Sequence, residues 1–334
     1  MLALTVWACQ SAQPSGVLTE AQNTPDSTGF FFAPTMQQQL PAGQNAVYAV
    51  SLPLAWQAAR QELAAVGPII TESTALQALD GSPTVAGALD DSDYQREITW
   101  KRRTLTVKTK QQVHRRFIPS FMDMPKGISF NGTKVDAFGT NGFQNMEYAN
   151  RIDIIAYRDD ARFLLRLNFP DTAATASQHE LYLFKADSLY KNFEAMYRDL
   201  QASCVQAQSL PEQQLTDLDV LAIPKIYFDE QRNFPELKEA RFMADGDEYE
   251  LTEAKQQISL SMNQHGLSMK TEAEIVINDG AYPMEDMPEP KNLVFDKPFY
   301  LLMKKAGKEN PYLVLYIANT DLLGEHPEHK TLMP

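Results

Sequence analysis

Phe295-Asp-Lys-Pro-Phe-Tyr-Leu-Leu-Met303 and Pro311-Tyr-Leu-Val-Leu-Tyr-Ile-Ala-Asn319 are two apolar runs of strand length separated by a polar turn. They predict strands over 293–304 and 311–318. Upstream, strands are predicted at 219–228 and 258–277, so strand content dominates the C-terminal half. Leu189, Phe193, Met196, Tyr197 and Leu200 share one helical face, which predicts a helix over 187–202 capped by Asp187 or Ser188. Ile152–Tyr157 and Arg162–Phe169, joined through Asp159-Asp160, read as a hairpin, and Thr104–Lys110 alternates with the period of a strand that has one polar face. Leu54, Ala55, Ala58, Ala59, Leu63 and Val66 follow helical spacing from Pro53 until Gly67-Pro68 stops them. Residues 71–97 are acidic and read as loop with short helical pieces. Gln10 to Gln44 is rich in Gln, Ser, Thr and Pro and reads as a tether docking at the burst Phe30–Phe32. No internal repeat or linker cuts 100–320, so 45–325 is expected to be one domain, with a polar tail over 326–334.

The chain has 334 residues, 44% of them hydrophobic and 22% charged, which excludes collagen-like, coiled-coil and wholly disordered chains. Its net charge of −13 argues against bulk attraction to nucleic acid or anionic membrane. Cys9 and Cys204 are too few for a disulfide framework or a cysteine zinc site. His114, His179, His265, His326 and His329 are scattered, and neither a nucleophile elbow nor a phosphate or dinucleotide loop is present. Asp245-Gly-Asp-Glu248 reads as a solvated acidic turn. The expectation is therefore a non-enzyme without cofactor or metal. Lys101, Arg102, Arg103, Lys108, Lys110, Arg115 and Arg116 form a basic strip with no acid between Glu97 and Asp123. It is a candidate site for a polyanion, with a solvated strand face paired to nearby acids as the alternative.

The opening Met-Leu-Ala-Leu-Thr-Val-Trp-Ala-Cys9, followed by a polar stretch, resembles the tail of a bacterial lipoprotein signal peptide. That resemblance implies a signal remnant over 1–9, lipid attachment at Cys9, and an extracytoplasmic protein that meets the membrane only through its anchor.

The closing runs resemble the last strands of serpins, in which F-x-[DN]-[KR]-P-F follows an exposed reactive loop. Ala222-Ile-Pro-Lys-Ile-Tyr-Phe228 is similar to the family's I-P-K-F strand, and Thr271-Glu-Ala273 to the hinge that opens the loop. Asn45–Pro53 is similar to an early serpin segment. Phe130–Val135 with the Ile152–Asp171 hairpin is similar to the middle of the fold. The resemblance covers most of 104–320. It implies an α+β fold with a large mixed β-sheet, a second smaller sheet, and helices clustered toward the N-terminal half. It also implies a hinge at Lys270, Thr271, Glu272, Ala273, Glu274 and Ile275, and a loop over 278–292 with its bait region at Tyr282, Pro283, Met284, Glu285 and Asp286.

The departures are informative. Only about fifty residues separate the Pro53 helix from the Thr104 strand, where a full serpin carries several helices and a strand. Lys270 replaces the glycine before the hinge threonine, and Glu274, Ile275, Val276 and Ile277 replace small residues. Bulky β-branched side chains resist threading into a close-packed sheet, at about 1–3 kcal/mol per overpacked site. The expected function is thus a non-trapping relative of serine or cysteine endopeptidase inhibitors that presents its loop to a protein partner, possible proteases included. A functional endopeptidase inhibitor is one alternative, and a small-molecule or glycan-binding surface lipoprotein using Trp56, Trp100 and the tyrosines is another.

Overall fold

The computed structural model describes residues 30–64, 67–83, 87–102, 104–149, 151–169, 179–208, 214–268 and 289–324. In chain order these hold β1 (Phe30–Phe32), β2 (Asn45–Ala49), α1 (Ser51–Glu62), β3 (Ile70–Thr71), α2 (Thr74–Asp80), β4 (Gln95–Lys101), β5 (Thr104–Lys110) and β6 (Arg115–Arg116). There follow β7 (Met122–Phe130), β8 (Thr133–Asn141), α3 (Asn145–Tyr148), β9 (Ile152–Asp159), β10 (Arg162–Asn168), β11 (His179–Lys185) and α4 (Phe193–Ala207). The chain closes with β12 (Val220–Pro224), β13 (Ile226–Asn233), β14 (Ala240–Ala244), β15 (Asp247–Leu251), β16 (Lys255–Asn263), β17 (Gly266–Ser268), β18 (Asn292–Val294), β19 (Phe299–Lys305) and β20 (Leu313–Ile317). The protein is α+β and rich in mixed sheet.

The largest sheet has seven strands in the order β1-β2-β20-β19-β11-β10-β9, with β1 and β2 parallel and the other pairs antiparallel. Its centre is buried on both faces: every residue of β20 and the first five of β19 are buried, so these strands are continuous apolar runs. Each fully buried Leu or Phe contributes about 1.5–3 kcal/mol. Two four-stranded sheets, β18-β12-β8-β7 and β13-β16-β17-β6, together with a three-stranded β15-β14-β3 and the β4-β5 pair, complete the strands.

The closing strands, the 152–168 hairpin and β5 lie where the sequence places them, but several expected elements divide. The predicted 219–228 strand splits at Lys225 into β12 and β13, which belong to different sheets. The Lys225 ammonium is buried at the switch and sits 2.6 Å from Asp123. The predicted 293–304 strand breaks at Asp296–Pro298, again between two sheets, and Phe295 fills the corner with its ring 4.9 Å from those of Phe163 and Phe299. The 258–277 strand turns back at Gln264-His265.

The helices also shift. The predicted 187–202 helix starts later, at Phe193, because the Asn192 side chain accepts the Ala195 N–H and caps it there. Among the described residues α1, α2 and α3 lie in the N-terminal half, and α4, the longest, lies in the second half. The Pro53 helix ends at Glu62, before a left-handed Ala64, and β4 begins inside the stretch expected to be loop. The folded part reaches back into the expected tether: Phe30, Phe31, Phe32, Met36 and Leu40 are core residues.

Candidate functional site

The predicted hinge at 270–275 and bait residues 282–286 lie outside the described residues, as do Cys9 and Arg103. The two places where the chain enters and leaves that span are described, and they form the candidate site.

The exit foot is β17. On one side it forms a tight hairpin with β16, pairing Met262 with Leu267 and Asn263 with Gly266. On the other it pairs antiparallel with β6, Gly266 with Arg116 and Leu267 with Arg115. Gly266 is required there: its φ is +148°, and an added Cβ would lie 2.2 Å from the Arg115 carbonyl oxygen. The chain after β6 then grips the hairpin turn, because Phe117 N–H donates to the His265 carbonyl (3.0 Å) and Phe121 N–H to the Gln264 carbonyl (2.9 Å).

The return foot is Lys291-Asn292, fixed by two carboxylates. Asp219 is fully buried. One of its oxygens accepts the Lys291 N–H (2.7 Å), and the other accepts the Thr216 N–H (2.8 Å) and faces the Lys291 ammonium at 3.3 Å. Asp160 accepts the Asn292 side-chain amide at 3.0 Å and the Tyr157 hydroxyl at 2.5 Å. The Tyr157 hydrogen bond holds the Asp160 carboxyl below the usual carboxylate range, while burial, then Asp160 itself, push the Tyr157 hydroxyl up to about 12. Behind Asp219, the buried Asn145 amide donates to the Thr216 carbonyl (2.6 Å) and the Asp219 carbonyl (2.8 Å), and its oxygen accepts the Thr140 hydroxyl (2.9 Å).

An aromatic cluster joins the feet. Phe117 packs edge-on against Phe121 (4.8 Å) and stacks on Phe169 (5.6 Å), and Phe121 stacks on Tyr148 of α3 (4.7 Å). The Tyr148 hydroxyl donates to the Ser120 carbonyl at 2.6 Å. α3 therefore holds Asp219 through Asn145 and the exit-foot grip through Tyr148.

The basic strip does not stand on one sheet. Lys101 and Arg102 lie at the exposed turn end of the β4-β5 pair, Lys108 and Lys110 on the exposed face of β5, and Arg115 and Arg116 in β6. Lys108 is 3.8 Å from Glu97 directly across the strand pair, and Arg115 donates to the His114 carbonyl at 2.8 Å. Trp56 is buried and donates to Asp80, whereas Trp100 is about half exposed beside Lys101. Among the described residues no group of three or more metal-ligating side chains occurs.

Asp219, Asn145 and Asp160 were not singled out by the sequence. Asp219 is one of 43 acids, and nothing local marks a carboxylate whose charged partner, Lys291, lies 72 residues away.

No family model matches the chain, and no curated protein matches it in sequence. Solved structures similar to it include human thyroxine-binding globulin, at 12% identity and a TM-score of 0.38 over 79% of this chain and 64% of that one. The thermophilic serpin Tengpin in its native state aligns at 10% identity and a TM-score of 0.38, over 64% of this chain and 54% of that one. A serpin from the trematode Schistosoma haematobium aligns at 10% identity and a TM-score of 0.34, over 70% and 53%. The chain spans between about half and two thirds of the length of these structures.

Proposed function

We propose that the chain is a serpin-like, non-enzymatic, extracytoplasmic lipoprotein that presents residues 278–292 to a protein partner without trapping a protease. The observation that carries this reading is the pairing at the exit foot. A trapping loop must enter as a strand beside the one that leads into it, and here β17 is paired on both sides. Parting β17 from β6 would give an incoming strand only the two residues of β6 on its far side, and β6 is the last strand of that sheet among the described residues. At about 0.5–1.5 kcal/mol net per hydrogen bond, so short a ladder does not offset overpacking by Ile275, Val276 and Ile277. The return foot adds a second restraint, since Lys291 and Asn292 are bound to carboxylates fixed in the fold.

The test is thermal unfolding before and after limited proteolysis within 278–292. An unchanged or lower midpoint after cleavage is expected. A large rise would mean that the cleaved loop inserts, and a protease complex that survives denaturing electrophoresis would establish the endopeptidase inhibitor instead. Metabolic labelling with a fatty acid, lost in Cys9→Ser, tests the anchor.

A further inference from the structure

We propose that the outer edge of β4 takes up an acidic, extended segment of another protein as an added strand. The inference stands apart from the reading of 278–292 and draws only on the β4-β5 ribbon.

β4 and β5 form a sheet of two strands, paired in unbroken register from Gln95 with Lys110 to Lys101 with Thr104. The hairpin closes through a two-residue turn, in which Arg102 takes a left-handed conformation. So short a turn makes Lys101 and Thr104 a hydrogen-bonded pair, and along an antiparallel ladder such pairs alternate with open ones. The inner ladder is therefore carried by Gln95, Glu97, Thr99 and Lys101, while the N–H and C=O groups of Arg96, Ile98 and Trp100 point away from β5. Among the described residues no other element's backbone pairs with them. The same alternation turns Leu105, Val107 and Thr109 outward from β5, but α1 packs against that strand and the Thr109 hydroxyl donates to the Ser51 carbonyl at 2.6 Å, so β4 is the more accessible edge. Two strands fall short of the three that usually make a sheet self-sufficient, and an added strand supplies the missing row.

Charge and side-chain order define the partner. β4, β5 and Arg102 hold five cations, Arg96, Lys101, Arg102, Lys108 and Lys110, against Glu97 alone, and Glu97 already faces Lys108 at 3.8 Å. Arg96 donates to the Gln61 side-chain oxygen (3.1 Å), a neutral partner, and keeps its charge. Cations along an edge turn away basic strands and draw acidic ones. An antiparallel strand would set its first residue beside Lys101, its second beside Trp100, its fourth beside Ile98 and its sixth beside Arg96. Trp100 is 49% exposed and Ile98 half-buried, so the second and fourth positions call for β-branched apolar side chains and the first and sixth for carboxylates. A sulfated or phosphorylated polymer would meet the cations but has no row of amides at strand spacing to match this edge, so a polypeptide is favoured.

The experiment uses the full chain and fluorescence anisotropy with the labelled peptide Asp-Val-Thr-Val-Thr-Glu-Ser, its twin with Asn and Gln in place of the acids, and two N-methylated forms of the acidic peptide. Saturable binding of the acidic peptide is expected, about tenfold tighter than that of its neutral twin. Methylating the amides of the second, fourth and sixth residues, which would join the ladder, should cost at least about tenfold, whereas methylating the third and fifth, which point away from β4, should cost little. Ile98→Pro removes an outward N–H and no inner hydrogen bond. It should therefore bind at least about tenfold more weakly than Ile98→Thr, which loses similar apolar packing but keeps the N–H, while the two variants unfold at similar midpoints. No saturable binding, or equal affinity of I98P and I98T, overturns the proposal. So does equal binding of the two methylated forms, which would make the ribbon a polyanion site that reads charge alone. Self-association in sedimentation velocity that I98P abolishes would put a second copy of this chain at the edge and overturns it as well.

Discussion

The two feet of the 269–288 span reach similar fixity by different means. At the exit, β17 is held by backbone ladders and by a close approach that only glycine permits. At the return, short strand β18 has a backbone ladder on one side only, to β12, and side chains add to it: a buried carboxylate on Lys291 and an exposed one on Asn292. The difference teaches where each foot can fail. Ladder contacts are many and individually weak, so the exit yields to a change in backbone geometry. The return adds to its ladder one charged group out of reach of water, and removing that group leaves its partners unsatisfied.

The largest expected effect is therefore at Asp219. Asp219→Ala strands the Lys291 ammonium and two N–H donors, and breaking a buried pair in this way destabilises by about 3–5 kcal/mol. Chemical denaturation should show this loss, and Asp219→Asn, which keeps an acceptor oxygen, should recover part of it. If Asp219→Ala instead leaves the midpoint unmoved, the return foot does not depend on its buried charge and the contrast fails.

Acid should separate the feet next. Burial, and then the Arg115 guanidinium of β6, lower the His179 imidazole to about 4, while its Nδ1 shares a 2.9 Å hydrogen bond with the Tyr312 hydroxyl. Asp93 opposes the shift and Lys305 adds to it. The folded value lies below the unfolded one of about 6.5, so the unfolded chain binds the extra proton between them. Stability from this group is complete above about pH 6.5 and is lost as pH falls toward 4, by about 3 kcal/mol at most. Asp160 at the return foot has its pKa lowered, so its contribution persists through that window and fades only below the ordinary carboxylate range. Hydrogen exchange between pH 6.5 and 4.5 should show amides of β6 and β11 opening before those of β18, and His179→Gln should flatten the trend.

At the exit foot itself, Gly266→Ala forces a Cβ against the Arg115 carbonyl at a left-handed φ. Strain of this kind is worth about 1–3 kcal/mol. The expected outcome is faster exchange at Arg116 and Leu267 with β18 unaffected. Equal loosening of β18 would show that the aromatic bridge through Phe117, Phe121 and Tyr148 couples the feet into one unit.

How much of this was legible in the sequence depends on the range of the forces. The runs that became β19 and β20 read correctly because burial on both faces leaves a continuous apolar signature. β5 and the 152–168 hairpin read correctly because alternation and a two-acid turn are local. Sheet switching at Lys225 and at Asp296–Pro298 was not legible, since a strand that changes sheets keeps its β-propensity across the corner. The helix start at Asn192 was a contest among neighbouring caps that packing decided. The return foot was least legible, because Asn145 and Lys291 reach Asp219 from 74 and 72 residues away.

The smallest effect tests whether the exposed carboxylate matters at all. Asp160 sits at the surface, where ion pairs and hydrogen bonds are screened and typically worth about 0–1 kcal/mol, so Asp160→Asn should barely move the unfolding midpoint. Its local consequence is larger than its global one. With the carboxylate gone, Tyr157 keeps the part of its upward shift that comes from burial and loses the part that comes from Asp160, so its hydroxyl should ionise at lower pH in an ultraviolet titration. The Asn292 amide should exchange faster while Lys291, still bound to Asp219, should not. If both amides loosen together, the two carboxylates form a single clamp. The return foot would then be distributed like the exit, and the difference between them would be one of residue type alone.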